Sequence, residues 1–470
     1  MRKTKIICTI GPSCSDEKTL KELCLAGMNV ARLNFSHGSH QQHLKMIQTI
    51  KKVRSELKIP VAIMLDTKGP EFRIGTFEND CITLNDGDDF TFTSRDVVGN
   101  QNIVSVSYKN FAREMKKGDI IKVNNGLLIF EVVSVNDNDV LCKTLVGGEM
   151  KNRKSMSFPD KVMGQKYVSE ADESDIIFGV QNDVDFIACS FVSKKQDLLD
   201  VKKIIEENGG ENIDIIAKIE NRSGVENIEE ICEACDGIMI ARGDLGVEIP
   251  FEELPAIQKD LIKECRMLGK RVITATEMLE SMIYNARPTR AEISDVANAV
   301  FDGTSAVMLS GETAAGKYPV LTLQTMARIV SKAEESISYG KRFLSSEFKI
   351  KNTVDAISHA TCNMAIDINS KVIAVCSLSG ATVRMVSRFR CPADILGLTT
   401  DEKTWRKLAL SWGVTPVKCE FFDSTDVLFY TAKKIAASTF SLSEGDRIVI
   451  TGGMVNGFSG NTNLIKIETI

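Results

Sequence analysis

From Lys3 onward, apolar and polar positions repeat one unit: a short β-branched apolar run, a polar turn, then a stretch of amphipathic helical period. Apolar runs of strand length bounded by turn residues are expected to form buried strands, and the 3.6-residue period marks helices. The pattern predicts strands at Lys5–Ile10, Asn29–Phe35, Val61–Asp66, Val184–Ser190, Ile213–Ile219, Gly237–Ala241, Arg271–Thr276 and Ala306–Leu309. Helices fall between them, among them Ser39–Leu57, Leu198–Glu207, Phe251–Leu268 and Thr289–Phe301. Eight such units make an α/β fold of the (β/α)8 barrel type, with its functional groups expected at the C-terminal strand ends.

The rhythm breaks between Pro70 and Val168. The helical period vanishes there, and short alternating runs are separated by turns such as Asn85-Asp86-Gly87, Lys117-Gly118-Asp119 and Gly147-Gly148. An all-β insertion after the third barrel strand is expected, a small β-barrel placed as a lid. After about Phe343 a second αβ series begins, with strands near Val372–Ser377, Asp394–Thr399, Thr415–Cys419 and Arg447–Thr451, and a closing strand at Leu464–Ile470. The expected division is barrel over 1–69 and 169–343, lid over 70–168, and an open α/β domain over 344–470.

A chain of 470 residues is long for one core, which agrees with several domains. Its net charge of −5 offers no basic surface for nucleic acid, so any anion site must be built locally. No apolar run approaches the roughly 18 residues that span a bilayer, and the N-terminus lacks the features of a signal peptide. A cytoplasmic protein with no membrane partner is expected. The 13 cysteines are odd in number and many lie within apolar runs, which suits reduced thiols better than a disulfide framework. Cys232 and Cys235 form a C-x-x-C with no second ligand pair at zinc spacing, so they read as structural.

Polar residues two apart at several strand ends are expected to face the same way. Arg32, Asn34 and Ser36 end the second strand, Asp66 and Thr67 the third, Lys218 and Glu220 the fifth; Arg242 and Asp244 follow the sixth, and Thr274 and Thr276 close the seventh. A lone lysine beside carboxylates is commonly a structural ion pair. Clusters on four or five strands of one barrel instead converge on one mouth. Glu220 and Asp244 supply hard oxygen ligands suited to Mg²⁺. Lys218 and Arg32 are fixed positive charges of the kind that stabilise a transferring phosphoryl group. The turn Gly243-Asp244-Leu245-Gly246 exposes backbone N–H groups that can hold a carboxylate. A metal, a phosphoryl clamp and a carboxylate cradle together describe a small phosphorylated acid. Gly311-Glu312-Thr313-Ala314-Ala315-Gly316-Lys317 imitates a P-loop, but Tyr318 stands where a Mg²⁺-binding hydroxyl is required, so it reads as a decoy.

At these residues the chain resembles pyruvate kinases over nearly its whole length, of the bacterial type with no further C-terminal domain. The resemblance is carried by Lys5-Ile6-Ile7-Cys8-Thr9-Ile10-Gly11-Pro12-Ser13, Ala31-Arg32-Leu33-Asn34-Phe35-Ser36-His37-Gly38 and Asp66-Thr67-Lys68-Gly69-Pro70-Glu71. It continues in Lys218-Ile219-Glu220-Asn221, in Met239 through Glu248, and in Ser310 through Pro319. It implies transfer of the phosphoryl group of phosphoenolpyruvate to ADP, giving pyruvate and ATP, with Mg²⁺ (or Mn²⁺) and K⁺. Lys218 would stabilise developing charge, and Glu220 and Asp244 would hold Mg²⁺. Arg32, Thr276 and the backbone of Ala241, Arg242, Gly243 and Asp244 would hold the substrate. Asn34, Ser36, Asp66 and Thr67 match the K⁺ site, and Arg73 and Lys154 the nucleotide site. The enolate would then be protonated through water near Thr276. Relatives that dispense with K⁺ carry Lys at the position of Glu71, so a need for K⁺ is expected. A homotetramer is implied as well.

The chain departs from that pattern in places. Ser155-Met156-Ser157-Phe158-Pro159 replaces the usual Gly-Val-Asn-Leu-Pro, which puts the role of Lys154 in question. Glu277 replaces Gln, and Ser305 a common Asp. His37 reads as a packing residue rather than an acid. In the C-terminal domain, Ser377-Leu378-Ser379-Gly380-Ala381-Thr382 leads from a strand into a helix bearing Arg384, a hydroxyl-rich cradle for a phosphate. With the resemblance, Ser377, Ser379 and Thr382 are expected to bind a phosphorylated activator, under the loop Gly457–Thr462. Two other classes remain: a phosphoenolpyruvate-binding barrel of the aldolase or lyase type, which would form pyruvate without ADP, and a non-catalytic ligand sensor.

Overall fold

The computed structural model describes residues 1–470 except 160, 162, 422–423 and 454–461. Eight parallel strands close into a barrel in sequential order: Lys5–Thr9, Val30–Asn34, Ala62–Asp66, Phe186–Cys189, Asp214–Ile219, Gly237–Ala241, Arg271–Ala275 and Ala306–Leu309. Nearly every residue of these strands is buried, because side chains on one face fill the barrel and those on the other pack under the helices. Ile7, Met64, Phe186, Ile216, Ile273 and Met308 fill the interior. Helices begin where hydroxyl caps predict them: Ser39 and Gln42 form a capping box for His40–Leu57, and Thr289 and Glu292 another for Arg290–Asp302.

The insertion is a seven-stranded sheet running from Phe72–Arg73 to Ile103–Ser105, with a two-stranded ribbon beside it. Its two edge strands meet, Gly75 N–H donating to Ser105 O at 2.8 Å and Ser107 N–H to Arg73 O at 2.9 Å, so the sheet curls round its own core of phenylalanines. It is not wholly β, since Phe111–Glu114 makes one helical turn.

The C-terminal sheet has five strands, four parallel and the last, Thr462–Thr469, antiparallel at the edge. It is docked on the N-terminal end of the barrel. Leu410 enters the barrel's interior cluster, and basic side chains clamp the rim round it. Arg406 Nε lies 2.7 Å from Asp185, Lys407 Nζ 2.7 Å from Asp214, and Lys5 Nζ donates to Val414 O at 2.7 Å. All 13 cysteines are free thiols, Cys232 and Cys235 among the buried ones. Among the described residues no helix is long and apolar enough to cross a membrane.

Candidate active site

The polar strand ends do converge. Lys218 and Glu220, two apart at the end of the fifth strand, both turn into the mouth, and Lys218 Nζ lies 2.9 Å from Glu220 Oε1 and 3.1 Å from Asp66 Oδ1. Arg32 Nε meets the other Asp66 oxygen at 2.6 Å, and its Nη1 donates to Thr9 Oγ1 at 2.9 Å. Asp66 is thus held between two cations, one from the second strand and one from the fifth. Burial alone would raise its pKa, but Arg32 and Lys218 outweigh burial and hold it below the usual carboxylate range. Burial would likewise lower Lys218, yet Asp66 and Glu220 more than offset it, so the ammonium is held charged. Glu220 is pushed up to about 7, first by burial and then by the nearby Asp244 charge, with Lys218 opposing. Its Oε2 accepts from Phe191 N–H at 2.6 Å.

Asp244 faces the cleft from the short helix Arg242–Glu248, and two carboxylates of this kind fit a Mg²⁺ that keeps water and substrate oxygens in its remaining positions. The fit is supported by Glu220 itself, a fully buried carboxylate whose Oε1, among the described residues, makes no directed hydrogen bond and is paired with Lys218. Among the described residues no group of three or more His, Cys, Asp or Glu side chains is arranged to hold a metal ion, so such an ion would depend on substrate and water for the rest of its shell. Asn34, Ser36, Asp66 and Thr67 gather beside this site, with Asn34 Oδ1 accepting Ser36 N–H at 3.2 Å and Asp66 and Thr67 both buried.

Two pairs do not behave as alternation predicts. Thr274 is fully buried and donates to Thr304 Oγ1 at 3.0 Å, away from the mouth. Thr276 leaves the strand at φ 67°, a left-handed conformation that a β-branched residue adopts only when its surroundings impose it. They do so here. Arg242 Nη2 donates to the Thr276 carbonyl at 2.6 Å and the Glu277 carbonyl at 3.1 Å, while Nη1 is 2.7 Å from Asp295. Thr276 Oγ1 in turn accepts Gly243 N–H at 2.8 Å. The Arg242 side chain is therefore engaged in shaping the loop, and of this residue only the backbone is left for a substrate at the Ala241–Asp244 turn.

A cleft of about 350 Å³ runs from this mouth to the inserted domain and is lined by Arg73, Lys154, Ser157, Asn221, Arg222 and Asp244. Arg73 forks onto Glu71, at 2.6 Å and 2.9 Å, and also donates to Arg153 O at 2.7 Å. Glu71 thus has a guanidinium for a partner, where the sequence suggested a carboxylate waiting for K⁺. The inserted domain touches the barrel at Lys122, whose Nζ donates to Val247 O at the end of the helix bearing Asp244.

The decoy Gly311–Ala314 forms a helical turn whose buried Glu312 accepts backbone N–H groups of Ser310 and Leu279. His37 lends its carbonyl to His43. In the C-terminal domain Gly380 sits at φ 74° before the helix Ala381–Arg388, and Thr382 Oγ1 is buried 2.6 Å from Thr462 Oγ1. Arg384 turns towards Asp214 and Asp236 at the barrel rim, away from Ser377 and Ser379. Of the loop Gly457–Thr462, only Thr462 lies within the described residues.

Sequence reasoning missed Ser190, Phe191, Thr9 and Asp295. Ser190 carried a signal, being polar at a predicted strand end; Asp295, inside a helix 53 residues from Arg242, carried none.

Comparison with known proteins agrees with this geometry. Residues 1–323 match the family model described as pyruvate kinase, barrel domain, and residues 355–468 that described as pyruvate kinase, alpha/beta domain. The chain is 44% identical to a pyruvate kinase of Clostridium perfringens over the full length of both. It is 46% identical to one from Staphylococcus saprophyticus, covering all of this chain and 81% of that one. A crystal structure of a pyruvate kinase from Cryptosporidium parvum superposes with a TM-score of 0.94 at 38% identity, covering 100% of this chain and 96% of that one. A barrel with Lys218, Arg32, Asp66, Glu220 and Asp244 at one mouth, together with these likenesses, places the chain in the pyruvate kinase family of phosphotransferases.

Proposed function

We propose that the chain transfers the phosphoryl group of phosphoenolpyruvate to ADP at the mouth described above, and that it needs both a divalent and a monovalent cation to do so. The observation that carries this is the pairing of Lys218 with Asp66 and Glu220, which fixes a buried ammonium beside two groups able to hold metal ions. Arg32 and Lys218 would bind the phosphoryl group, and the N–H groups of the Ala241–Asp244 turn with Thr276 the carboxylate. As the phosphoryl passes to the nucleotide, negative charge grows on the enolate oxygen, where the fixed ammonium of Lys218 stabilises it without reorganising. Protonation of the enolate carbon then comes from water near Thr276.

Glu220 and Asp244 would hold Mg²⁺, which when bound offsets charge on the substrate oxygens. Asn34, Ser36, Asp66 and Thr67 would hold K⁺. Arg73 and Lys154 would bind the nucleotide from the lid side, Arg73 by releasing part of its fork on Glu71. The same reading takes residues 1–69 and 169–343 as barrel, 70–168 as lid and 344–470 as the C-terminal domain. That domain would bind a phosphorylated activator at Ser377, Ser379 and Thr382; the hydroxyl pair Thr382–Thr462, which brings the cradle and the end of the loop together, supports this site. A homotetramer in the cytoplasm completes the reading.

The test is pyruvate formation from phosphoenolpyruvate, with ADP, Mg²⁺ and K⁺ each omitted in turn. Full activity in tetramethylammonium chloride would overturn the K⁺ site, and pyruvate formed without ADP would favour a lyase. A sugar phosphate or nucleoside monophosphate that shifts the substrate curve would support the activator site, and Ser379→Ala with Thr382→Ala should remove that response.

A further inference from the structure

The fourth barrel strand ends at Cys189, and the next two residues turn sharply. Phe191 stands at φ 56°, which aims its N–H at Glu220 Oε2, 2.6 Å away. Ser190 is buried at the centre of that turn, and its hydroxyl touches three groups of the mouth. It lies 2.6 Å from Thr67 O, 2.7 Å from Lys218 Nζ and 3.4 Å from Asp66 Oδ1. A hydroxyl has one proton to give. The shortest acceptor, Thr67 O, takes it, and a lone pair receives an N–H of Lys218.

The backbone of Ser190 faces the lid. Tyr167 OH, on the chain returning from the lid, donates to Ser190 O at 2.7 Å. On the outgoing side Gly69 is at φ 72°, and a Cβ there would lie 2.9 Å from both Ser190 Cβ and Ser190 O. Only glycine allows that approach. Both connections between lid and barrel thus press on one residue, and that residue holds the ammonium.

We propose that Ser190 is a positioning residue for phosphoryl transfer, which joins the lid hinge to Lys218 and to Thr67 O, with Tyr167 as its contact on the hinge. The proposal rests on the roles given above to Lys218 and the cation site. Ser190 touches no substrate; it acts through the orientation of Lys218 and through a carbonyl offered to the monovalent cation.

The full-length enzyme carrying Ser190→Ala tests it, alongside Tyr167→Phe and the double variant. A hydrogen bond to a charged group is lost, so kcat is expected to fall about ten-fold or more, with a smaller change in KM for phosphoenolpyruvate. The K⁺ concentration for half-activation is expected to rise several-fold, which a purely structural defect would not bring about. Tyr167→Phe keeps the ring and should shift both quantities the same way by less. Because Tyr167 acts through Ser190, the double variant should be no worse than Ser190→Ala alone. Melting temperatures identify any variant that fails to fold, and Tyr167→Phe carries the test if Ser190→Ala does. Values of kcat and K⁺ half-activation within two-fold of wild type in a folded Ser190→Ala would overturn the proposal, as would multiplicative effects in the double variant. If wild-type turnover ignores monovalent cations, the cation site falls separately, and kcat with the double variant still decides the link from hinge to lysine.

Discussion

Replacing Lys218 with Met keeps the length of the side chain and removes its charge, and the structure allows the consequences to be separated. Asp66 would keep Arg32 at 2.6 Å, and Glu220 would keep the Phe191 N–H at 2.6 Å. Removing one partner of a buried ion pair costs about 3–5 kcal/mol when the survivor is stranded. Here neither carboxylate is stranded, since Asp66 retains a guanidinium and Glu220, already at about 7, can take up a proton. The stability loss should therefore sit at or below the low end of that range. Catalysis should suffer more, because a fixed donor aimed at developing charge contributes about 2.7–4 kcal/mol, or 10²–10³-fold in kcat. Pyruvate formation can be followed through its reduction by NADH with a coupling dehydrogenase, and the fold by circular dichroism against temperature. A folded Lys218→Met with kcat within a few-fold of wild type would refute the assignment. A loss confined to KM would show that the lysine binds ground state and transition state alike.

Three further outcomes are expected. Burial tends to raise the pKa of Asp214, but Arg271, Lys407 and Arg384 outweigh it and hold the carboxyl well below its ordinary range. A depressed folded pKa stabilises fully above the unfolded value of about 3.9 and less as pH falls below it, so Asp214→Asn should melt lower at pH 7 and flatten the wild-type loss of melting temperature between about pH 5 and 3. Lys5 is pushed down to about 7 by burial and by Arg2, so the unfolded chain holds a proton that the folded one releases, and stability should climb between about pH 7 and 10. Lys5→Met should remove that climb and melt above wild type near pH 6; an unchanged slope would show that the amine is not the titrating group. Lys122→Met removes the contact of the lid with Val247 O and should raise KM for ADP several-fold with less effect on kcat, as measured by varying ADP at saturating phosphoenolpyruvate.

The barrel was readable because its strands are buried on both faces, so each one writes a continuous apolar run between turns; all eight lie where those runs stand. Lys218 and Glu220 were readable for the same reason, since regular strand geometry persists to Ile219 and alternation still applies. At the seventh strand alternation stops with Ala275. Thr274 and Thr276 share a parity but not a direction, because Arg242 pulls the Thr276 carbonyl into a left-handed turn. Arg242 and Asp244 likewise stand on a short helix rather than a strand, where residues two apart diverge. Arg242 belongs with Asp295, a partner that only the closed barrel brings near. The helical turn Phe111–Glu114 escaped notice because four residues are too few to show a period.

The charges at the inner wall of the mouth bear on how the proposed site would assemble. There, two cations, Arg32 and Lys218, face three carboxylates, Asp66, Glu220 and Asp244, so these five groups by themselves offer no positive excess to a phosphorylated acid. Protonation of Glu220 at about 7 brings them only to neutrality. On the proposed reading a divalent ion on Glu220 and Asp244 would supply that excess, and a monovalent ion beside Asp66 would add to it. The buried lysine cannot do this alone, because its charge is already matched by Asp66 and Glu220 on either side. On this reading Lys218 is kept charged by Asp66 and Glu220, and Glu220 would also hold the divalent ion. A divalent ion on Glu220 would take up charge that Glu220 otherwise directs at the ammonium, leaving Lys218 held by Asp66 and facing the substrate. The metal requirement and the catalytic lysine are then one device, and a charge-neutral Glu220→Gln should lose metal affinity and kcat together. Loss of metal affinity with kcat intact at saturating Mg²⁺ would separate them and refute the link.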